Sequence, residues 1–446
     1  MSNIEQTSIV PKRYRMHFIM LISCFVLWGL LNNMTDNLVP AFGKIFMLEA
    51  ADSSLVQVAF YGSYAVLALP AAILIKKYSY RNGVLVGLGL YIIGAMGYIP
   101  AAMLQNFNLL PAAMLQNFNL FLVSVFVLAG GLSILETTCN PYVISLGSEE
   151  TSVRRLNLAQ AFNPIGSLTG IIMAKYLILG HLNPATYEER VAMGPDALSK
   201  IQNNELIWVC VPYVSLVVIA IIIWCFFKRS KDSEKDNSGE LNIVDSIKKL
   251  VKIPRYAFGV VAQFFYVGVQ IAVWTWTIKY VMVNVGVDEA EAAKYYLIAI
   301  VGFIVCRWIC TALMKYIEPA VMMAIFAVFG ILCSLGTIFL PTSVSVWCLV
   351  LISACMSLMF PTIYGIALEG LGKEVKVGAA GLIMAILGGA VITPIMGGFI
   401  DSGRLSSLVT SYQGAEAAVR SAFFIPVVCF AVVLIYSLCF RKKKAA

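Results

Sequence analysis

Charge is scarce in this chain. Asp, Glu, Lys and Arg make up 13% of its 446 residues, against about a quarter in an ordinary soluble domain, and this excludes a water-exposed globule. Histidine is scarcer still. His17 and His181 are the only two, which argues against an imidazole proton relay through an apolar interior. The 11 cysteines show no CxxC or CxxH spacing, and Cys24, Cys306, Cys310, Cys333 and Cys355 are embedded in apolar runs. There they act as small apolar side chains, so neither a metal site nor a disulfide framework is expected. No GxxxxGKS or GxxxxGKT is present, which disfavours work driven by ATP, and the Gly-rich stretch from Gly381 to Gly389 is expected to be a helix-packing surface. No nucleophile–base pair is legible, so an enzyme is not expected.

Apolar residues are abundant instead. They make up 60% of the chain, and the mean hydropathy is +0.84. A bilayer-spanning helix needs about 20 such residues, and runs of this length recur almost throughout. The opening MSNIEQTSIVPKRYRM is polar and basic. The apolar run after it is too long for a signal-peptide core and lacks a small-residue cleavage site, so it is expected to be a retained first helix. About twelve spans are predicted. The first six fall near 17–39, 53–75, 82–103, 119–146, 155–180 and 205–227. The second six fall near 256–284, 293–315, 319–340, 343–368, 376–400 and 418–440.

Alternate connections are basic. They contain Lys12, Arg13 and Arg15, then Lys76, Lys77 and Arg81, then Arg154 and Arg155, then the central loop and the tail from Arg441 to Lys444. The opposite connections are neutral or acidic, as at Glu188, Glu189 and Asp196, or at Asp288, Glu289 and Glu291. The positive-inside rule places both termini and the central loop in the cytoplasm. This asymmetry accounts for the net charge of +8, and nothing points to nucleic-acid binding. The only long polar connection, 228–255, separates a six-span bundle at 17–227 from another at 256–440, with polar tails at 1–16 and 441–446. Within it, ELNIVDSIKKLVK has helical apolar spacing and suits a short amphipathic helix on the membrane surface. The halves echo each other. NPYVISLG and FPTIYGIALEGLG each precede a charged turn and a Gly-rich span, a pattern common in secondary transporters.

Two carboxylates interrupt the apolar runs: Asp36 after HFIMLISCFVLWGLLNNMT and Glu136 after FLVSVFVLAGGLSIL. A charge at mid-bilayer costs about 2.5–3.5 kcal/mol on insertion scales and commonly marks an ion or proton pathway. The bland alternative is a helix-end position with the acid reaching the headgroups. Trp28, Asn32 and Asp36 share a helix face, with Asn33 at its border. Glu136 pairs with Asn140; Asn157, Gln160 and Asn163 form a third stripe; Gln263, Tyr266, Gln270 and Trp274 form a fourth. Amides, acids and flat aromatics suit a polyhydroxylated ligand, although Asn and Gln also join membrane helices as plain interhelical bonds. Arg307 is expected to cap carbonyls or form a structural ion pair. Pro70, Pro141, Pro164, Pro212, Pro361 and Pro394 fall inside spans as kinks or static bends. PAAMLQNFNLL at 100–110 is followed by the near-identical PAAMLQNFNLF at 111–121, which has no functional account and is expected to enlarge an outer loop.

FVLWGLLNNMTDNLVPAF, LETTCNPYVISLG, RRLNLAQAFNPIGS, AQFFYVGVQIAVWTW and FPTIYGIALEGLG together resemble the fucose permease branch of the major facilitator superfamily, along essentially all spans. The resemblance implies an all-α membrane protein of twelve helices in two pseudo-symmetric bundles, moving a monosaccharide with a proton by alternating access. It implies proton coupling at Asp36 and Glu136. It implies sugar contacts at Trp28, Asn33, Glu136, Gln160, Asn163 and Phe360, to which the polar stripe of the seventh span adds Gln270. Phe360 stands where the family can have Tyr, and Pro164 stands where it has Ser. The implied partners are L-fucose, protons and the lipid bilayer of the inner membrane. No cofactor is implied beyond the proton, and a monomer is expected. Glucose, galactose or N-acetylglucosamine symport, and proton-driven export of small molecules, remain as alternatives on the same scaffold.

Overall fold

The computed structural model describes residues 9–36, 45–47, 55–97, 118–185, 187–230 and 243–441. Every regular element among them is a helix. Eleven helical stretches are long and apolar enough to cross a membrane. A twelfth candidate, Tyr80–Met96, falls just short of that length with 17 residues. The first four spans are Arg15–Asp36, Leu55–Lys77, Tyr80–Met96 and Phe118–Ser145. The fifth is built from Ser152–Gln160 and Asn163–Met173, and the sixth is Pro195–Arg229. The seventh to ninth are Pro254–Val285, Glu289–Leu313 and Pro319–Phe339. The last three are each two helices: Thr342–Met356 with Met359–Leu368, Val375–Met384 with Leu387–Ser402, and Gly414–Ser421 with Phe424–Cys439. Side-chain caps start two of the helices: Ser79 accepts from the Asn82 N–H, and Asp288 accepts from the Glu291 N–H at 2.7 Å.

Several boundaries differ from the hydropathy reading. The sixth helix begins at Pro195, ten residues before the expected 205. Its first turns are polar, so hydropathy does not register them. Pro at the start and Asp196 in the first turn favour helix there all the same. Glu205, the first residue after this extension, forms a fully buried pair with Arg190 at 2.5 Å and also accepts from the Asn183 N–H at 2.8 Å. Pro164 and Pro361 do not bend continuous helices. They are the second and third residues of new ones, in a first turn that tolerates a residue without an N–H. The amphipathic helix of the central connection is present as Ile243–Val251. The duplicated segment lies outside the described residues except for its end, which enters the fourth span.

Contacts gather the chain into two compact units. One contains Arg15–Tyr142 and Phe162–Leu241. Within it the first and fifth spans touch backbone to backbone. A Cβ on Gly166 would lie 2.0 Å from the Val26 carbonyl oxygen, and one on Gly170 would lie 2.1 Å from that of Leu30. Glycine alone permits so close an approach. The other unit contains Met1–Tyr14, Val143–Ala161 and Asn242–Ala446. Here the seventh and eleventh spans repeat the device: a Cβ on Gly388 would lie 2.0 Å from the Phe264 carbonyl oxygen. The sequence echo between the halves is thus matched by a packing echo.

Candidate functional site

In the unit holding Arg15–Tyr142, the polar groups cluster where the first, second, fourth and fifth spans meet. The half-buried Trp28 donates its indole N–H to the Tyr64 hydroxyl at 2.6 Å. Tyr64 is tied to the fourth span in turn, its carbonyl accepting from the Ser133 hydroxyl at 3.4 Å. Asn33, half-buried, turns back to the Gly29 carbonyl at 3.1 Å. Asn163 donates across to the Phe25 carbonyl at 3.2 Å, directly beside Gly29, whose missing side chain leaves room for the Asn163 backbone.

Glu136 is 4% exposed. Its backbone carbonyl accepts from the buried Asn140 side chain at 3.0 Å. One carboxyl oxygen, Oε2, has no hydrogen-bond donor. Cys139, one turn along the same face, interacts with Cys24 of the first span, so this face of the fourth span meets the first. A buried carboxyl without a cation or a full set of donors is poorly suited to carry a charge permanently. It is suited to take up and release a proton. Asp36 is the last residue of the first helix; its side chain lies outside the described residues.

The other unit holds Gln160, Gln270, Phe360 and Arg307. Gln160 is buried at the end of the first fifth-span helix. Phe360 stacks on Tyr364 with ring centroids 6.1 Å apart and meets the edge of Tyr266 at 6.3 Å. Gln270 is half-buried. On the same helix Tyr266 donates to the Met356 carbonyl at 3.1 Å, and Trp274 donates to Ser353 at 3.1 Å. Gln263 is fully buried, and neither its amide nitrogen nor its amide oxygen has a partner.

Arg307 caps carbonyls. Its guanidinium lies 4.6 Å from the Phe303 ring, donates through Nε to the Ser357 carbonyl and donates through Nη1 to the Gln160 carbonyl at 3.1 Å. Asn157 bonds the Thr362 hydroxyl at 3.2 Å, so this amide serves as an interhelical link. Arg155 has a structural role that charge counting misses. Fully buried, it donates to the carbonyls of Val143 at 2.8 Å, Ser148 at 3.3 Å and Ile9 at 3.1 Å, to that of Ile144, and to the Thr151 hydroxyl at 2.9 Å. Tyr64 and Thr362, which fix Trp28 and Asn157, lie in apolar stretches with no spacing signal of their own.

Eleven membrane-length apolar stretches with a shorter twelfth among the described residues, close-packed glycine crossings repeated in the two halves, and the buried Glu136 with buried amides in mid-span define a polytopic helical membrane protein of the secondary-transporter class. The chain belongs to the Major Facilitator Superfamily, whose family model matches residues 16–394, and within it to the fucose permease branch. It is 40% identical to the L-fucose-proton symporter of Haemophilus influenzae, covering 96% of this chain and 97% of that protein. It is 33% identical to the L-fucose-proton symporter of Escherichia coli, covering 99% and 97%. Among solved structures it is similar to FucP, a superfamily transporter crystallised in the outward conformation. The TM-score is 0.84 at 32% identity, covering 97% of this chain and all of that one.

Proposed function

We propose that the protein carries L-fucose with a proton across the inner membrane into the cell, by alternating access. It is a transporter and not an enzyme. The observation that carries this reading is the buried, incompletely bonded carboxyl of Glu136, in a chain similar along its whole length to two L-fucose-proton symporters. Asp36 and Glu136 handle the proton, which is the only coupling ion required. Trp28, Asn33, Glu136, Gln160, Asn163, Gln270 and Phe360 contact the sugar. The basic connections lie in the cytoplasm with both termini, and the transporter works as a monomer.

Proton entry neutralises a carboxyl that the apolar surroundings disfavour as an anion. The neutral acid can then donate a hydrogen bond to a sugar hydroxyl, which it cannot do when ionised. This links sugar binding to protonation. Phe360 offers a ring face and no hydroxyl, so it packs against the sugar without fixing a polar substituent.

The test is external pH in a lightly buffered suspension of de-energised cells expressing the chain. L-fucose is expected to make the medium alkaline. Alkalinisation with D-galactose or D-glucose and not with L-fucose would move the assignment to the glucose/galactose alternative. Silence with every hexose, in cells with confirmed membrane insertion, would overturn proton symport.

A further inference from the structure

Two carbonyls held by Arg307 share a cause. In a helix the carbonyl of residue i accepts from the N–H of residue i+4. Four residues after Gln160 stands Pro164, and four after Ser357 stands Pro361. Neither proline has an N–H to give. The fifth span breaks after Gln160 and the tenth after Met356, and each break leaves one buried carbonyl without its helical donor. Arg307, only 3% exposed, donates to both. A planar guanidinium can satisfy two acceptors lying in different directions; a lysine ammonium is a point charge without that fork.

We infer that Arg307 is a positioning residue for transport, joining the proline-made breaks of the fifth and tenth spans, and that this joint parts whenever the cytoplasmic end of the path opens. The inference rests on the uptake reading. The segment it grips, Val143–Ala161, continues directly into Asn163, while in the unit to which it belongs it packs on the eighth and tenth spans. The same contact carries weaker links: Arg154 to the Thr311 carbonyl at 3.4 Å, Asn157 to Thr362, and the Gly370 N–H to Glu149 at 2.8 Å. Arg307 is the fully buried member with two charge-assisted bonds, so it dominates the contact. The Gln160 acceptor lies at the break between the candidate sugar ligands Gln160 and Asn163.

Cys310 reports on the joint. It is fully buried and lies three residues after Arg307 on the same helix face. The full chain is reconstituted, N-ethylmaleimide is applied without sugar, and labelling is followed peptide by peptide in the mass spectrometer. Arg307→Lys is expected to raise Cys310 labelling several-fold and to raise the KM for L-fucose uptake more than it lowers kcat. Pro164→Ala restores an N–H that competes for the Gln160 carbonyl, and it is expected to shift Cys310 the same way by less. Loosening of the fold in general would expose Cys24 and Cys210 as well, and that pattern would count against a local joint. Unchanged Cys310 labelling in both variants would overturn the inference. If Arg307→Lys does not fold, Pro164→Ala decides alone. Labelling does not depend on the substrate, so a chain that fails the L-fucose pH assay can still pass or fail this one.

Discussion

Glu136 and Gln263 are both buried with an unsatisfied polar group, and the consequences differ. The acid can exchange its proton and the amide cannot. Glu136→Gln keeps size and hydrogen bonding while removing the ionisable group. It is expected to reduce L-fucose-driven alkalinisation to background while leaving part of the sugar exchange between loaded vesicles and medium. Alkalinisation at the unsubstituted level would remove Glu136 from the coupling role. For Gln263, an amide without partners costs about 1–3 kcal/mol of desolvation. Gln263→Leu is therefore expected to raise the melting temperature in detergent, by about 1 kcal/mol of stability; a lower melting temperature would show that the amide is satisfied in the working protein. Sequence reasoning could locate Glu136, Gln160, Asn163 and Arg307, because a polar residue in an apolar run is conspicuous. It could not say which amides were already committed. Asn157 and Asn163 each bond a neighbouring helix, and only the fold places Thr362 and the Phe25 carbonyl beside them. Arg155 shows the same limit: a basic residue in a basic connection looks like a topology marker, yet its five backbone and side-chain acceptors lie in three separate stretches of chain.

At the scale of helices, the apolar runs and the amphipathic Ile243–Val251 were legible because period and hydropathy are local properties. The breaks in the fifth, tenth, eleventh and twelfth spans were not, because hydropathy continues across them. Proline marks three of the four, as Pro164, Pro361 and Pro426, and even there a kink and a break look alike in sequence. The stretch from Gly381 to Gly389 was legible as a packing surface and became specific only with its partner Phe264 known. Gly388→Val would force a side chain into the Phe264 carbonyl. It is expected to cost about 1–3 kcal/mol or more, seen as loss of monodisperse protein on size exclusion. Gly398→Val is the control, since a Cβ there meets nothing within 4 Å. Equal behaviour of the two variants would contradict the close seventh–eleventh crossing.

For the whole molecule, the twelve-span architecture follows from composition and charge placement, and the branch from five motifs distributed over both halves. The duplicated stretch at 100–121 remains the one large feature without a role. The third span is described through Gly97, and the fourth begins at Phe118. Deleting residues 100–110 removes one copy and retains the other, and it is expected to leave L-fucose uptake within about twofold of the full chain, given the tolerance of connecting segments to length changes. Uptake abolished in a deletion variant that still reaches the membrane would give the duplication a function.

The grouping of Val143–Ala161 with Asn242–Ala446 bears on how the gene could be cut. A natural scission point is the polar central connection, which separates six spans from six. Fragments made there would not be equivalent. The leading fragment would carry Arg154, Asn157 and the Gln160 carbonyl bereft of Thr311, Thr362 and Arg307, whereas the trailing fragment would lack only what binds them. Produced together, the fragments should complement one another. Produced singly, the leading one should be the more readily degraded, because it keeps a polar strip whose counterparts are encoded on the far side of the cut.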